Sequence, residues 1–272
     1  MDDSKKWREV LPANTPAKRT YCITFTPRSG STWLGDTLKR SGRFGDPREY
    51  FNIEASRFSI RQSNAHNLYA YYNYLKSVRQ SDGVFGFEIA YRHLKKLIDE
   101  GYADVLDDVE IWFFLRRRDF VAQAVSLFRA NKTGVFHSTQ KSGRLKKTPY
   151  EDRKIVELVL GLMHREYSFF RFFDEYRIEP IPLWYEEVVS LPQDALLCFF
   201  ADSLGTEPTT EAQSSDAFNQ SEFKKIADEH SARLIARFNE EHPALVRYWK
   251  EHRGKATLQK FVEKQPRYSG FA

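Results

Sequence analysis

The chain has 272 residues, enough for one α/β domain with a large core, and 42 basic against 37 acidic residues give it a formal net charge of +5. This basic excess favours an anionic ligand, but no helix-turn-helix, zinc-finger or RNP pattern accompanies it, so we expect no nucleic acid partner. The two cysteines exclude a disulfide framework and show no metal-ligand spacing, so we expect no metal.

The N-terminal segment lacks the apolar core of a secretory signal peptide. No stretch of the sequence is long and apolar enough to cross a bilayer. We therefore expect a cytoplasmic protein, and a peripheral association with a membrane stays open.

The first predicted strand, near 20–26, leads into a Gly/Ser/Thr turn from Arg28 to Thr32, and a helix is predicted over 31–41. In this arrangement backbone N–H groups and a helix N-terminus can hold a phosphate. The turn lacks the lysine of a Walker A sequence, and its cation is Arg28 instead. An ordinary strand-to-helix turn with Ser31 as N-cap is the alternative interpretation.

A second anion-binding pattern begins at a predicted buried strand, 110–116, which runs into consecutive arginines from Arg116 to Arg118. A helix predicted over 119–131 follows and carries Ser126. Guanidinium groups at the carboxyl end of a parallel strand lie where α/β proteins bind ligands, and they suit a phosphate. A solvated or salt-bridged role is simpler for any single arginine, but the cluster favours a phosphate site.

A long basic loop, 131–149, contains several lysines and arginines and no acid. Connections of this length are often lids or binding loops, so one interpretation is a lid over the nucleotide or an acidic acceptor. The other is a solvated, partly disordered excursion.

The remaining segments alternate between strand and helix patterns. Further strands are predicted near 83–90 and 179–185, and helices near 54–80, 91–100, 151–177, 192–204 and 222–252. Strands separated by helices predict an α/β fold of the P-loop-like three-layer type, with a central parallel sheet flanked by helices on both faces. We expect one domain over 1–272, with loosely ordered ends at 1–19 and 253–272.

Three segments, in this order and spacing, resemble the Stf0 family of bacterial sulfotransferases, and the likeness reaches from Tyr21 to Phe238 with gaps. The first, PRSGSTWL, resembles the loop that binds the 5′-phosphosulfate of 3′-phosphoadenosine-5′-phosphosulfate (PAPS). The resemblance implies that this loop holds the donor through Arg28, Ser29, Gly30, Ser31 and Thr32.

The other segment that contacts the donor in this family is represented here by RRRDFVAQAVSLFRA. It resembles the element that binds the 3′-phosphate, which implies donor contacts from Arg116, Arg117 and Ser126. Alignment favours Arg117 for the phosphate, although the choice among Arg116, Arg117 and Arg118 stays open.

The third segment, GDPREYF from Gly45 to Phe51, resembles a family motif whose second glutamate is the proposed catalytic base. The resemblance implies that Glu49 is the general base, whereas a surface glutamate is the simpler interpretation without it. Histidine is the alternative base. His137, in the basic loop, is a second-rank candidate for contact with an acceptor, and the other histidines are expected to be structural.

The implied function is PAPS-dependent transfer of a sulfuryl group to a hydroxyl of a carbohydrate or glycolipid acceptor. Such a reaction depends on positioning and on electrostatic stabilisation of the transferring group, so Arg28 is a catalytic as well as a donor-binding candidate. Relatives in this family form dimers, which makes a homodimer one expectation. The sequence does not identify the acceptor.

Two positions depart from the family pattern. Glu88 stands where the family usually has a lysine, so any contact made by that lysine is expected to be absent or reversed in sign. Arg118 stands in place of a proline. Two alternative functions stay open: a non-catalytic protein that keeps the nucleotide fold and binds an anionic glycan, and a P-loop kinase, which the missing Walker lysine disfavours.

Overall fold

The computed structural model describes residues 17–54, 56–136, 148–207 and 228–253. The chain forms two compact units. The first comprises Met1–Phe25, Gly30–Arg116 and Glu179–Ser221, and the second comprises Thr26–Ser29, Arg117–Ile178 and Glu222–Ala272. The expectation of a single domain stays a prediction.

The first unit contains a parallel sheet in the order β2-β1-β3-β4. Its strands are β1 (Arg19–Phe25), β2 (Val84–Ala90), β3 (Ile111–Arg116) and β4 (Ile181–Trp184). In the register of the sheet, Ile23 of β1 lies between Glu88 of β2 and Phe113 of β3. Each strand was predicted from the sequence, and the bounds differ by no more than the usual uncertainty of strand ends.

The helices follow in chain order. They are α1 (Ser31–Arg40), α2 (Arg57–Ser63), α3 (Leu68–Val78), α4 (Tyr91–Asp99), α5 (Phe120–Thr133), α6 (Asp152–Glu175), α7 (Tyr185–Val188), α8 (Gln193–Leu204), α9 (Glu229–Glu241) and α10 (Pro243–His252). A 3-10 helix spans Ala103–Asp108. Among these described helices, none has the length and apolar character needed to cross a membrane.

Two long helices predicted from the sequence are each interrupted. The segment predicted over 54–80 forms α2 and α3, because Asn64 takes a left-handed conformation (φ 50°) and the side chain of Asn67 caps α3 by accepting from Ala70 N. The segment predicted over 222–252 ends one helix at Glu241 and begins the next at Pro243, whose ring fits a first helical turn but no helix interior. Residues 222–227 lie outside the described part of the chain.

Both faces of the sheet are covered by helices of the first unit, as predicted. On one face, Tyr21, Ile23 and Phe113 pack with apolar residues of α1 and α8. On the other, Phe85 contacts Tyr72 of α3 edge-on, with ring centroids 6.0 Å apart. Alternate residues of a strand point to opposite faces, so the two helical layers bury β1, β2 and most of β3, whereas Pro182 of β4 is exposed.

The second unit is helical in its described part. Helices α5, α6, α9 and α10 share one apolar core. The guanidinium of Arg129 in α5 pairs with Asp228, which caps α9, at 2.6 Å, so the start of α9 is tied to α5. The helix predicted over 151–177 is confirmed as α6, whose apolar side chains line this core.

Candidate active site

The predicted donor loop is divided between the two units after Ser29. In the first unit, Gly30 is the N-cap of α1 with φ 89°, and no side chain among the described residues caps this end of the helix. Ser31 is therefore the first helical residue rather than the N-cap. A Cβ at Gly30 would lie 2.5 Å from the ring of Tyr185, so this position requires glycine on two grounds. The uncapped N–H groups make this helix end suitable for an anion.

The second unit contains the other half of the loop, Thr26–Ser29. Arg28 has a left-handed backbone (φ 66°), and its Nε donates to Ser126 Oγ at 3.1 Å. A further nitrogen of Arg28 donates to the carbonyl of Phe136. The structure thus brings together two residues that the sequence analysis assigned to separate donor-binding segments.

Gln123 of α5 contacts the donor loop, a role that was not predicted from the sequence. Its Nε2 donates to Thr26 Oγ1 at 2.9 Å and to the Pro27 carbonyl at 2.7 Å, and so fixes the backbone before Arg28. The Oγ of Ser29 is buried and makes no hydrogen bond within the described residues. A buried hydroxyl without a partner is costly, so this group favours a ligand that supplies one.

The three arginines at the end of β3 and just after it differ in their surroundings. In the first unit, the guanidinium of Arg116 lies over the rings of Trp184 (4.2 Å) and Phe114 (4.9 Å). In the second unit, the carbonyls of Arg117 and Arg118 accept from the Arg253 guanidinium at 2.6 and 3.2 Å.

The Arg253 guanidinium is itself held by a buried acid. Its Nε and Nη2 each donate to a carboxyl oxygen of Glu166, both at 2.9 Å. Glu166 is only 2% exposed, so this two-bond pair is rigid and fixes the backbone of the arginine segment. The sequence offered no signal for it, because the two residues stand far apart in the chain.

Glu49, the candidate base, follows a turn that is attached to the sheet. A Cβ at Gly45 would lie 2.7 Å from the Arg79 carbonyl, and Gly45 has φ 72°, so the turn depends on glycine. The carbonyl of Arg48 accepts from Glu88 N of β2 at 2.9 Å. The Glu49 side chain is 34% exposed and is therefore accessible to an acceptor.

The carboxyl of Glu49 lies beside His93 of α4, with Glu49 Oε2 3.9 Å from His93 Nδ1. Arg92 Nε donates to His93 Nε2 at 2.9 Å, so Nε2 accepts and the ring proton is on Nδ1, facing the glutamate. Burial, with the cations of Arg92 and Lys96, lowers the pKa of His93 to about 4, which keeps the ring neutral. Burial raises the pKa of Glu49, opposed by a hydrogen bond from Asn52 and by Arg92.

Glu88 lies at the same end of the sheet as Glu49 but is only 3% exposed. The Ser31 hydroxyl hydrogen-bonds to its carboxyl, whereas Oε1 has no hydrogen-bond partner in the described part of the chain. Burial raises the pKa of Glu88 well above its usual range, and the charge of Glu49 raises it further. Burial therefore favours a protonated, neutral Glu88, and the expectation that the lysine contact is absent or reversed in sign stays a prediction.

One cluster in the second unit has the composition of a metal site: Asp152, Glu241 and His242 offer ligand atoms within 4.8 Å of one another. These atoms already have protein partners. His242 pairs with Asp152, and Glu241 accepts from Arg237 Nε at 2.8 Å and from the Tyr150 hydroxyl at 2.9 Å. The guanidinium of Arg237 opposes a second cation there, so the cluster is better explained as a link from α6 to the junction of α9 and α10. His137 and the centre of the basic loop, 137–147, lie outside the described residues.

Comparisons with known proteins give the family of the chain. The family model described as Stf0 sulphotransferase matches residues 20–241. Trehalose 2-sulfotransferase of Mycobacterium tuberculosis (strain ATCC 35801 / TMC 107 / Erdman) is 23% identical over 231 residues, which cover 71% of this chain and 86% of that protein. The solved sulfotransferase domain of the Synechococcus PCC 7002 olefin synthase aligns with 13% identity and a TM-score of 0.41, covering 84% of this chain and 96% of that domain.

Proposed function

The chain belongs to the Stf0 sulfotransferase family, and from this premise we propose that it transfers a sulfuryl group from PAPS to a hydroxyl of a carbohydrate or glycolipid. The observation that carries the proposal is the hydrogen bond between Arg28 and Ser126, which joins one residue from each predicted donor segment. The name of the mycobacterial relative supports a sugar as acceptor.

The donor loop has the chemistry that an anionic donor requires. The backbone is left-handed at Arg28 and at Gly30. Among the described residues, no side chain caps the N–H groups that begin α1, and the buried Ser29 Oγ has no hydrogen-bond partner. Left-handed turns that lead into a helix present consecutive N–H groups to an anion. We assign the 5′-phosphosulfate to the loop from Arg28 through Ser29, Gly30 and Ser31 to Thr32.

For the 3′-phosphate we assign Arg117 and Ser126, with Arg116 in support. The family pattern favours Arg117 for the direct contact, and the guanidinium of Arg116 stacks on Trp184 and Phe114. The pair between Arg253 and Glu166 holds the backbone carbonyl of Arg117 in place. A fixed backbone lowers the entropy cost of binding with a long arginine side chain.

In the reaction, the acceptor oxygen forms a bond to sulfur while the bond between sulfur and the 5′-phosphate oxygen breaks. Arg28 and the loop N–H groups stabilise the charge on the sulfuryl oxygens and on the leaving phosphate. The proton of the acceptor hydroxyl moves to the Glu49 carboxylate. The products are the sulfated acceptor and 3′-phosphoadenosine-5′-phosphate (PAP).

Glu49 has the surroundings of a base. It is partly exposed, and the neutral ring of His93 directs Nδ1–H towards Glu49 Oε2. At 3.9 Å the ring makes no hydrogen bond with the carboxyl among the described residues, so it contributes a favourable dipole beside Glu49. Because burial raises the pKa of Glu49, its carboxylate is a stronger base than that of an exposed glutamate.

The wider setting stays a set of predictions. A donor made in the cytosol favours a cytoplasmic location, and no step of the proposed reaction requires a metal. The homodimer expected from relatives and a peripheral membrane contact are compatible with the proposal.

Transfer of labelled sulfuryl from PAPS to a panel of carbohydrates and glycolipids tests the proposal. We expect transfer by the wild type, strong loss for Arg28→Ala, and no loss for Arg153→Ala, an exposed arginine in an ion pair within α6. Consumption of ATP with Mg²⁺ and no transfer would favour the kinase alternative. Glycan binding without binding of PAP would favour the non-catalytic alternative.

A further inference from the structure

The carboxyl of Glu88 is packed beneath the first two turns of α1, in the first unit. A Cβ added at Gly35 would lie 2.6 Å from Glu88 Oε1 and 2.7 Å from the Pro47 carbonyl. Glycine in a helix interior costs about 1 kcal/mol relative to alanine, so its presence needs a reason. The reason here is that α1 approaches the carboxyl of Glu88 too closely for any side chain.

The same carboxyl contacts the residue that begins the helix. The Ser31 hydroxyl hydrogen-bonds to Glu88, and Glu88 N donates to the Arg48 carbonyl at 2.9 Å. Glu88 therefore connects the proposed donor loop with the segment that carries Glu49. A side chain that is 3% exposed, on a backbone held by the Arg48 carbonyl, can set the position of Ser31.

The charged and titratable groups around Glu88 favour its neutral form. From the segment after α1 it faces Asp46, Arg48 and Glu49, and the acids outnumber the single cation. From β1 it faces the buried Tyr21 and Cys22, whose pKa values are raised well above their usual ranges, mainly by burial. An ionised carboxyl at this position would lack adequate compensation and would also repel an anion at the start of α1.

We propose that Glu88 is a positioning residue of the donor loop: its buried carboxyl, packed against α1 at Gly35, holds the Ser31 hydroxyl in place. The inference rests on the proposed donor site. An ionised carboxyl at this place would repel an anionic donor, so binding should weaken as pH rises towards the raised pKa of Glu88.

Calorimetric titration with PAP from neutral to alkaline pH tests this role on the wild type, Glu88→Gln and Glu88→Ala. Glutamine keeps the shape and a hydrogen-bonding group and does not ionise. Glu100→Gln is the matched control, because it makes the same change at an exposed residue that pairs with Lys96.

For the wild type and Glu100→Gln, we expect the dissociation constant for PAP to rise at alkaline pH, by up to about tenfold per pH unit. For Glu88→Gln we expect a constant value over the same range. Glu88→Ala should bind PAP weakly even at neutral pH, because Ser31 loses its partner.

A Glu88→Gln curve that parallels the wild-type curve would overturn the inference and leave the donor site intact. Absence of PAP binding by folded wild type at every pH would instead remove the proposed function, and this inference with it.

Thermal unfolding gives a readout that does not depend on the donor. An acid whose pKa is raised by folding contributes stability that is lost as pH rises from the ordinary glutamate range towards the raised value. The Tm of Glu88→Gln relative to wild type should therefore increase with pH. A difference that does not change with pH would show that Glu88 is not held neutral, and would overturn the inference.

Discussion

Glu49 and Glu88 belong to neighbouring segments joined by the hydrogen bond from Glu88 N to the Arg48 carbonyl, yet their surroundings are opposite. Glu49 is 34% exposed and faces the Nδ1–H of a neutral histidine. Glu88 is 3% exposed and faces a hydroxyl and a helix backbone. The same side chain is suited to accept a proton at one position and to retain one at the other.

This difference shows that residue type alone does not determine the role of a glutamate at this end of the sheet. Environments that separate the pKa values of two carboxyls also separate their functions. The carboxyl that is accessible ionises first, and its charge then favours the protonated form of the buried one. Our predictions test this division, from the largest expected effect to the smallest.

Replacing Glu49 with glutamine removes the base and preserves the shape. We expect kcat for sulfuryl transfer to fall by about 10²–10⁴-fold, the usual contribution of a general base. Binding of PAP at neutral pH should be unchanged, because Glu49 is assigned to the acceptor. An enzyme that keeps its turnover after Glu49→Gln would contradict the assignment of the base, and Glu100→Gln provides the control.

Replacing Gly35 with alanine would ordinarily stabilise a helix. Here the new Cβ would meet Glu88 Oε1 and the Pro47 carbonyl at 2.6 and 2.7 Å, so we expect a loss of about 1–3 kcal/mol in the free energy of unfolding. Chemical denaturation measures this loss. A more stable Gly35→Ala protein would mean that Glu88 does not pack against α1 in this way.

Replacing His93 tests how Glu49 is oriented. His93→Ala should lower kcat by less than about tenfold, because Nδ1 lies 3.9 Å from Glu49 Oε2 and supplies a dipole rather than a hydrogen bond. His93→Asn keeps a donor near the position of Nδ1 and should recover part of the rate. Equal rates for the alanine and asparagine variants would show that the ring has only a packing role.

The acid limb of the pH–rate profile should report the ionisation of Glu49 alone. Activity requires the Glu49 carboxylate, so it should fall as pH decreases through a pKa that burial raises above the ordinary value for glutamate. Glu88→Gln should leave this acid limb essentially unmoved, since Glu88 is already protonated there. If Glu88→Gln moved the acid limb as strongly as it alters the pH dependence of PAP binding, the two carboxyls would not have separate functions.

Much of the fold was predictable, because apolar runs bounded by turns gave all strands and the order of most helices. The sequence pattern did not show where the long helical segments are interrupted. The break after α2 depends on the left-handed Asn64 and the cap at Asn67, and the break before α10 depends on Pro243. Helical periodicity continues across such points, so it cannot place them by itself.

The candidate site was predictable where its residues belong to a sequence motif. Arg28 and Ser126 were both named from sequence, and the structure brings them within 3.1 Å. The role of His93 was missed, because its proximity to Glu49 arises from the fold and not from spacing in the chain. Glu88 was noticed as a departure, but its neutral state depends on burial, which a local sequence pattern does not report.

The measurement that tests the central claim most directly is calorimetric binding of PAP, with ATP and Mg²⁺ as the comparison, to wild type, Arg28→Ala and Arg153→Ala. We predict that wild type and Arg153→Ala bind PAP with micromolar affinity and prefer it to ATP, and that Arg28→Ala loses most of this affinity. A folded wild type that does not bind PAP, or an Arg28→Ala protein that binds it equally well, would contradict the proposed donor site.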